Sequence, residues 1–477
     1  MGKPKLILFG AGRNGILALE KYGTERVAFF CDNAVEKQGK RINGILVLTF
    51  EEMIKRYQKG AIIMVTPAYH ALLIGQLERE GVFDYLVFHN EETRFPLKEE
   101  EDAEERNRIL NMLVKKCSPM DLLADCSEFA KLSEEALRLH KEENILLAHP
   151  GINSEGKYYG NLQSILNYGG ISQEEEKYFP IVSHYDSMPL YAPAFHYKTA
   201  VIMSGEYFKR KIHERVPYVP VFSIGPYIHY AKGIYSEEKI QEIKEKNGKT
   251  LLIFSPHSIE STKRKYDKKL FINNVVKEYG SQFSSMWLCT YWTDLNDPVC
   301  QYAESIGIHV VTAGFRFDSK FSQRLKTVFE IADAIVCGDI GTFIPYALFL
   351  GKPVGRLDIS NSSTNLEDQI HFDWEKEIQM TEDYQRFQRD FHLLFDKELR
   401  NNKSQRDWMN EVGGFSQIRD KDYLHTIYEI SKDIWMTCDG DLEKYPEAVR
   451  EVYSLYDKNF EFDKMSILKE AVGAYLY

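Results

Sequence analysis

Polar residues of this chain gather where short apolar runs stop, and those stops are where chemistry is to be sought. Residues 145–148 (ILLA) end at His149, and residues 179–182 (FPIV) end at Ser183 and His184, with Asp186 close behind. A carboxylate or imidazole in such a place can take the proton of an attacking hydroxyl. Asp186 is the first choice for that general base, followed by His184 and His149; His196, His229, Glu155 and Glu206 are weaker candidates. A second group has the composition of an anion site. Residues 250–254 stop at Ser255, His257 and Ser258, and residues 334–337 stop at a small-residue loop carrying Gly338, Gly341 and Thr342. Backbone N–H groups, hydroxyls and nearby cations can together hold a phosphate without a metal. Arg316 and Lys320 are the cations chosen, with Arg324 and Lys263 in reserve. The plain alternatives are an exposed helix face for the cations, a loop hydrogen bond for His257, and an ordinary strand–helix turn for residues 338–342.

A third group lies at the front. Residues 5–9 (KLILF) lead into Gly10, Gly12 and Gly15 in G-x-G-x-x-G spacing, then a helix, a second apolar run, and Asp32, 22 residues after Gly10. That order suits a dinucleotide: a tight turn, close backbone approach, helix packing and an acid for the ribose. The domain closes by about residue 90, short for a full dinucleotide fold, and a purely structural loop is the alternative reading.

These residues need elements to hold them. Apolar runs alternating with helical patterns imply parallel sheets with ligands beyond the strands' carboxyl ends. The expected fold class is α/β. Its segments are a small Rossmann-like domain over 1–97, an acidic helical linker over 98–143, a first α/β unit over 144–232, a second over 233–360, and a helical region over 361–477. In the last, aromatic residues including Phe387, Phe391, Phe395 and Trp408 recur at helical spacing and read as core. A length of 477 residues suits about three domains.

Composition closes off other classes. The net charge of −11, from 60 basic and 71 acidic residues, argues against a general nucleic-acid binder. Hydrophobic residues at 44% are ordinary for a globular chain and exclude disorder as the main state. No apolar run approaches the roughly 18 residues a membrane span needs, and no leader pattern is present. The seven cysteines are scattered, with no C-x-x-C pair, so neither a disulfide framework nor a metal site is expected. The chain reads as cytoplasmic.

Two resemblances sharpen this. Phe9-Gly10-Ala11-Gly12, Phe30-Cys31-Asp32-Asn33, Gly39 and Gly44-Ile45-Leu46-Val47 are similar to a small Rossmann-like domain fused to enzymes of bacterial surface-sugar synthesis. That implies a nucleotide, NAD(P) or a structural role for the front domain. Ala332-Asp333-Ala334, then Gly338-Asp339-Ile340-Gly341-Thr342, Tyr346-Ala347-Leu348 and Gly351-Lys352-Pro353-Val354 resemble the donor half of a GT-B glycosyltransferase, a family that includes sugar-nucleotide 2-epimerases. One departure is clear: the family's donor loop often precedes a helix with an early Glu, and here the helix reads Phe343-Ile344-Pro345-Tyr346. The resemblance implies a nucleotide-sugar donor, a glycan or lipid-linked acceptor, peripheral membrane contact as an option, and no cofactor for transfer. A sugar-nucleotide epimerase, an NAD-dependent oxidoreductase and a non-catalytic nucleotide-sugar binder are the alternatives.

Overall fold

The computed structural model describes residues 5–57, 61–66, 73, 76–77, 79–82, 85–88, 110–142, 155–184, 199–213, 216–258, 262–359, 363–366, 381–441 and 444–476. The chain forms two compact units, residues 1–103 with 372–380, and residues 104–371 with 381–477.

In the first unit, β1 (Leu6–Phe9), β2 (Val27–Cys31), β3 (Arg41–Ile42), β4 (Ile45–Leu48), β5 (Ile62–Val65) and β6 (Tyr85–Val87) form one sheet in the order β3-β4-β2-β1-β5-β6. Every pairing is parallel except β3 with β4. Taken alone, the five parallel strands run third, second, first, fourth, fifth, the doubly wound order. Continuous apolar runs such as LILF suit strands covered on both faces, and all four residues of β1 are buried. Helix Arg13–Tyr22 turns Gly15, Ala18 and Leu19 inward, three and four residues apart.

The second unit has two parallel sheets. The smaller is β7 (Ile181–Val182), β8 (Val201–Met203) and β9 (Val221–Ser223), in sequence order. The larger contains β10 (Thr250–Phe254), β12 (Ser285–Cys289), β13 (His309–Val311), β14 (Ala334–Cys337) and β15 (Val354–Arg356) in the order β13-β12-β10-β14-β15. This is again the doubly wound order. An antiparallel pair, β11 (Thr262–Lys265) with β16 (Ser363–Leu366), stands apart from both sheets. Register matters for the site. Phe254 pairs with both Cys289 and Cys337, and Cys289 pairs with Val311, so β10, β12, β13 and β14 end level.

The segments outside the sheets share their cores. Leu110, Leu113, Phe129 and Leu132 pack with Leu251, Phe271 and Trp292. The acidic run at 98–106 lies outside the described residues, whereas residues 110–136 contribute to the larger sheet's cover. The helices Glu382–Leu394 and Lys403–Gly413 bring Phe387, Phe391, Phe395, Met409 and Val412 into one core with Val201, Phe208, Leu252 and Ile335. Phe387 stacks on Trp408 with ring centroids 4.3 Å apart. The tail is thus a structural layer of the unit. Its helices start where Thr381, Asn402 and Asp420 accept backbone N–H bonds as N-caps. Among the described residues, no helix is long and apolar enough to cross a membrane.

Candidate functional site

Because four strands of the larger sheet end level, their loops emerge along one edge. An open cleft lies there, about 810 Å³ when the solvent space at its mouth is included. Ser255 and His257 line it from the β10 loop, Thr290 and Tyr291 from the β12 loop, Thr312 from the β13 loop, and Gly341 and Thr342 from the β14 loop. Strand order reverses between β10 and β14, the place where doubly wound sheets take ligands.

The β10 loop is held on three sides. The Ser258 N–H donates to Asp294 Oδ2 at 3.0 Å, the Thr293 hydroxyl donates to the Ser258 carbonyl at 2.8 Å, and the Tyr266 hydroxyl donates to the Pro256 carbonyl at 3.1 Å. Lys268 braces Asp294 at 3.2 Å and Asp297 at 2.6 Å. Burial works against the charge on Lys268, but the two carboxylates outweigh it and hold its ammonium above the ordinary lysine value. His257 itself is exposed, with its ring against Tyr291 at 4.4 Å. Its Nδ1 lies 2.9 Å from the Ser258 carbonyl. A carbonyl only accepts, so Nδ1 carries the proton in this bond.

The β14 loop meets the β10 loop closely. A Cβ on Gly338 would stand 2.7 Å from Ile359 Cδ1 and 3.1 Å from Pro256 Cδ, so glycine is what lets the two loops touch. The Gly338 N–H donates to the Phe254 carbonyl, and the Ile340 N–H to Asp339 Oδ1 at 2.8 Å. Among the described residues, no acceptor stands opposite the N–H groups of Gly341, Thr342 and Phe343. The Phe343 ring stacks flat on Phe254 at 4.3 Å. No Asp, Glu, Lys or Arg belongs to the cleft wall among the described residues, so an anion there would be met by N–H groups, hydroxyls and His257. Cys289 also borders it, and burial pushes its thiol up to about 12, so it is not a thiolate near neutral pH.

Tyr159 and Asn161 reach the cleft from the first half of the unit. Their helix, Asn161–Gly169, packs on β7–β9 through Leu162, Ile165 and Leu166. Tyr159 and Gly160 are both left-handed, at φ +61° and +65°. The Tyr159 N–H donates to the Arg316 carbonyl at 2.6 Å, and a Cβ on Gly160 would stand 2.3 Å from the Ser319 carbonyl oxygen. A buried hydroxyl pair, Ser164 with Ser322 at 2.9 Å, fastens the same helix to helix Phe321–Ile331.

The sequence candidates separate accordingly. Ser255, His257, Gly341 and Thr342 lie on the cleft; Ser258 and Gly338 shape its loops. His184 stacks on Tyr158 at 4.7 Å, and the Arg316 guanidinium lies over the same ring at 4.9 Å, beside the cleft but outside its wall. Lys320 Nζ donates to the Ser118 carbonyl at 3.0 Å, away from the cleft wall. Arg324 is fully buried, paired with Asp318 at 2.6 Å and donating to the Cys117 carbonyl at 3.1 Å, so it is a core cation and not a ligand for an anion. Lys352 is likewise structural, with Nζ 2.7 Å from the Ala332 carbonyl. His229 stands against Tyr168 and Phe349, and burial holds its imidazole below the ordinary value. The carboxyl ends of β8 and β9 are plugged: Gly205 abuts the Glu411 and Val412 carbonyls, and Gly225 abuts Gly414 and Ile418. Asp186, His149 and His196 lie outside the described residues, as do the side chains of Glu155 and Lys263. The residues that sequence reasoning missed are Tyr159, Asn161, Tyr291 and Thr312. The only signal for the first two was a glycine between them ahead of an apolar helix.

In the front unit, Gly10, Gly12 and Gly15 sit at the β1–helix turn, and Asp32 is spent on that turn. Its Oδ2 accepts from the Ala11 N–H at 2.7 Å and from Lys37 at 3.0 Å; its Oδ1 accepts from the Ala34 N–H at 2.9 Å. The Thr66 hydroxyl closes the loop onto the Gly10 carbonyl at 2.6 Å. Asp32 thus braces the turn itself. Among the described residues of the whole chain, no cluster of His, Cys, Asp and Glu has the makings of a metal site.

No family model matches the chain, and no curated protein matches it. Solved structures give remote likenesses. UDP-GlcNAc 2-epimerase from Neisseria meningitidis, bound to UDP-GlcNAc, is 12% identical over 90% of this chain and 98% of its own, with a TM-score of 0.28. The wall teichoic acid polymerase TagF is 11% identical over 90% and 89%, with a TM-score of 0.26. Arabidopsis thaliana UGT89C1 complexed with UDP-L-rhamnose is 9% identical over 100% of both chains, with a TM-score of 0.24. At these scores the superpositions carry no argument, and function is argued from the cleft itself.

Proposed function

We propose that this chain is a GT-B-type glycosyltransferase that takes a nucleotide-linked sugar in the cleft and passes the sugar to a glycan or lipid-linked acceptor, in the assembly of a bacterial surface polysaccharide. One observation carries the reading. At the switch point of a doubly wound sheet, three successive residues whose N–H groups have no acceptor among the described residues line a cleft that the first half of the unit also lines. As the bond from the anomeric carbon to the phosphate oxygen breaks, its electron pair leaves with the nucleotide. The N–H groups of Gly341, Thr342 and Phe343, with the Ser255 and Thr342 hydroxyls, are placed to meet that growing charge. The stacked Phe254–Phe343 pair and Tyr291 offer flat apolar faces to a base or sugar ring. The His257 imidazole, a lining residue of the cleft, is the group proposed to hold or move one proton there. The acceptor hydroxyl's proton goes to a base from the first half; Asp186, His184 and His149 remain the proposed candidates. No step is assigned to the front unit.

The test is a thermal-shift screen with UDP-, GDP-, CMP- and TDP-linked sugars and NAD(P). A ligand present at about 100 times its Kd adds roughly 2.7 kcal/mol to the folded state, a readable rise in Tm. One sugar nucleotide should raise Tm, and Thr342→Glu, at an exposed position, should abolish the rise without lowering the unliganded Tm. A rise with NAD(P) alone, or none with any sugar nucleotide, overturns the proposal.

A further inference from the structure

Asn161 is 3% exposed and borders the cleft, yet its side-chain amide makes no hydrogen bond among the described residues. Its amide is not among the fully buried polar atoms that lack a partner, so the little surface it keeps opens on the cleft. The chain nevertheless holds this one firmly. Tyr159 and Gly160, just before it, are clamped on the Arg316 and Ser319 carbonyls, and Ser164, one turn on, is bonded to Ser322. A rigidly placed amide that is buried except where it borders a cavity is the form of a group kept for a ligand.

The identity of that ligand group follows from where the other polar groups lie. The acceptor-free N–H groups of Gly341, Thr342 and Phe343 belong to the second half and suit phosphate. Asn161 belongs to the first half. It is neutral and offers a donor and an acceptor in one plane, which suits hydroxyl groups better than an anion. We infer that Asn161 reads the hydroxyls of the glycosyl group carried by the nucleotide, and so selects the sugar rather than holding the nucleotide. This inference rests on the nucleotide-sugar reading of the cleft.

Matched pairs separate the two claims: UDP with UDP-glucose, GDP with GDP-mannose, TDP with TDP-glucose and CMP with CMP-N-acetylneuraminate, each titrated by calorimetry into the full chain. For the pair that binds, Asn161→Ala and the near-isosteric Asn161→Leu should weaken the sugar nucleotide about three- to tenfold, the worth of one or two neutral hydrogen bonds. Free nucleotide should bind within about twofold of wild type. Since the amide has no protein partner among the described residues, the unliganded Tm should not fall in Asn161→Leu. An equal loss for nucleotide and sugar nucleotide, or no loss for either, overturns the role of Asn161 and leaves the cleft reading standing. A fall in unliganded Tm of Asn161→Leu makes Asn161 a structural residue and also overturns it. Failure of wild type to bind any pair overturns both.

Discussion

Replacing Gly160 by alanine should damage the unit more than its left-handed backbone alone would require. Alanine at φ +65° costs about 1–2 kcal/mol, the usual left-handed penalty. The new Cβ would also stand 2.3 Å from the Ser319 carbonyl oxygen, whereas ordinary contact begins at 3.4 Å, so about 1 Å of separation must be found. Neither neighbour is a flexible side-chain tip. The separation comes from pulling the Tyr159–Gly160 turn off the segment after β13, which breaks the Tyr159 N–H bond to Arg316. An unmade buried bond adds about 1–3 kcal/mol, for a total of about 2–5 kcal/mol. Gly307 is the control in the same unit. It has φ +85° with nothing within 4 Å of its Cβ position, so Gly307→Ala should cost only about 1–2 kcal/mol. Urea unfolding of both variants gives the difference. Gly160→Ala should also weaken sugar-nucleotide binding, because Tyr159 and Asn161 move with the turn, whereas Gly307→Ala should not. Equal losses in the two variants would refute the clamp.

Three further outcomes are expected. Arg324→Met should cost about 3–5 kcal/mol in urea unfolding because it leaves Asp318, 0% exposed, without its partner, and adding Asp318→Leu should recover part of the loss. Burial lowers the imidazole values of His213, His229 and His309. A depressed value makes the unfolded chain bind protons first, so Tm should hold above about pH 6.5 and fall as the pH drops below it. His309→Gln should shrink that slope, and an unchanged Tm between pH 7 and 5 would contradict it. Asp32→Ala should cost the front unit about 1–3 kcal/mol, since the buried Ala11 N–H loses its acceptor, while sugar-nucleotide affinity stays unchanged.

Much of the frame was readable from local pattern. Apolar runs of about four residues, each stopped by glycine, serine or threonine, mark β1, β4, β5, β10, β12 and β14, and level register then brings Ser255, His257, Gly341 and Thr342 to one edge. What escaped depends on distant partners. Helical periodicity gives Arg324 a face but not its cover; the turn carrying the Cys117 and Ser118 carbonyls supplies that from over 200 residues away. Asp32 has the residue type and spacing of a ribose acid, but only the positions of Ala11, Ala34 and Lys37 show that it braces its own turn. The arrival of Gly414 against the Ser204 carbonyl, over 200 residues later, removes the end of β8 from any ligand surface. Tyr159 and Asn161 have no motif at all. They are placed by a contact with residues 316–319, about 160 positions later.

The central claim is that the second unit's switch-point loop, not the front glycine loop, holds the nucleotide sugar. Amide hydrogen exchange with and without a saturating sugar nucleotide tests it most directly. The N–H groups of Gly341, Thr342 and Phe343 have no acceptor among the described residues, so they should exchange quickly in the free chain and slow at least about tenfold when bound, with residues 10–15 unaltered. Protection at residues 10–15 with none at 341–343 would contradict the account.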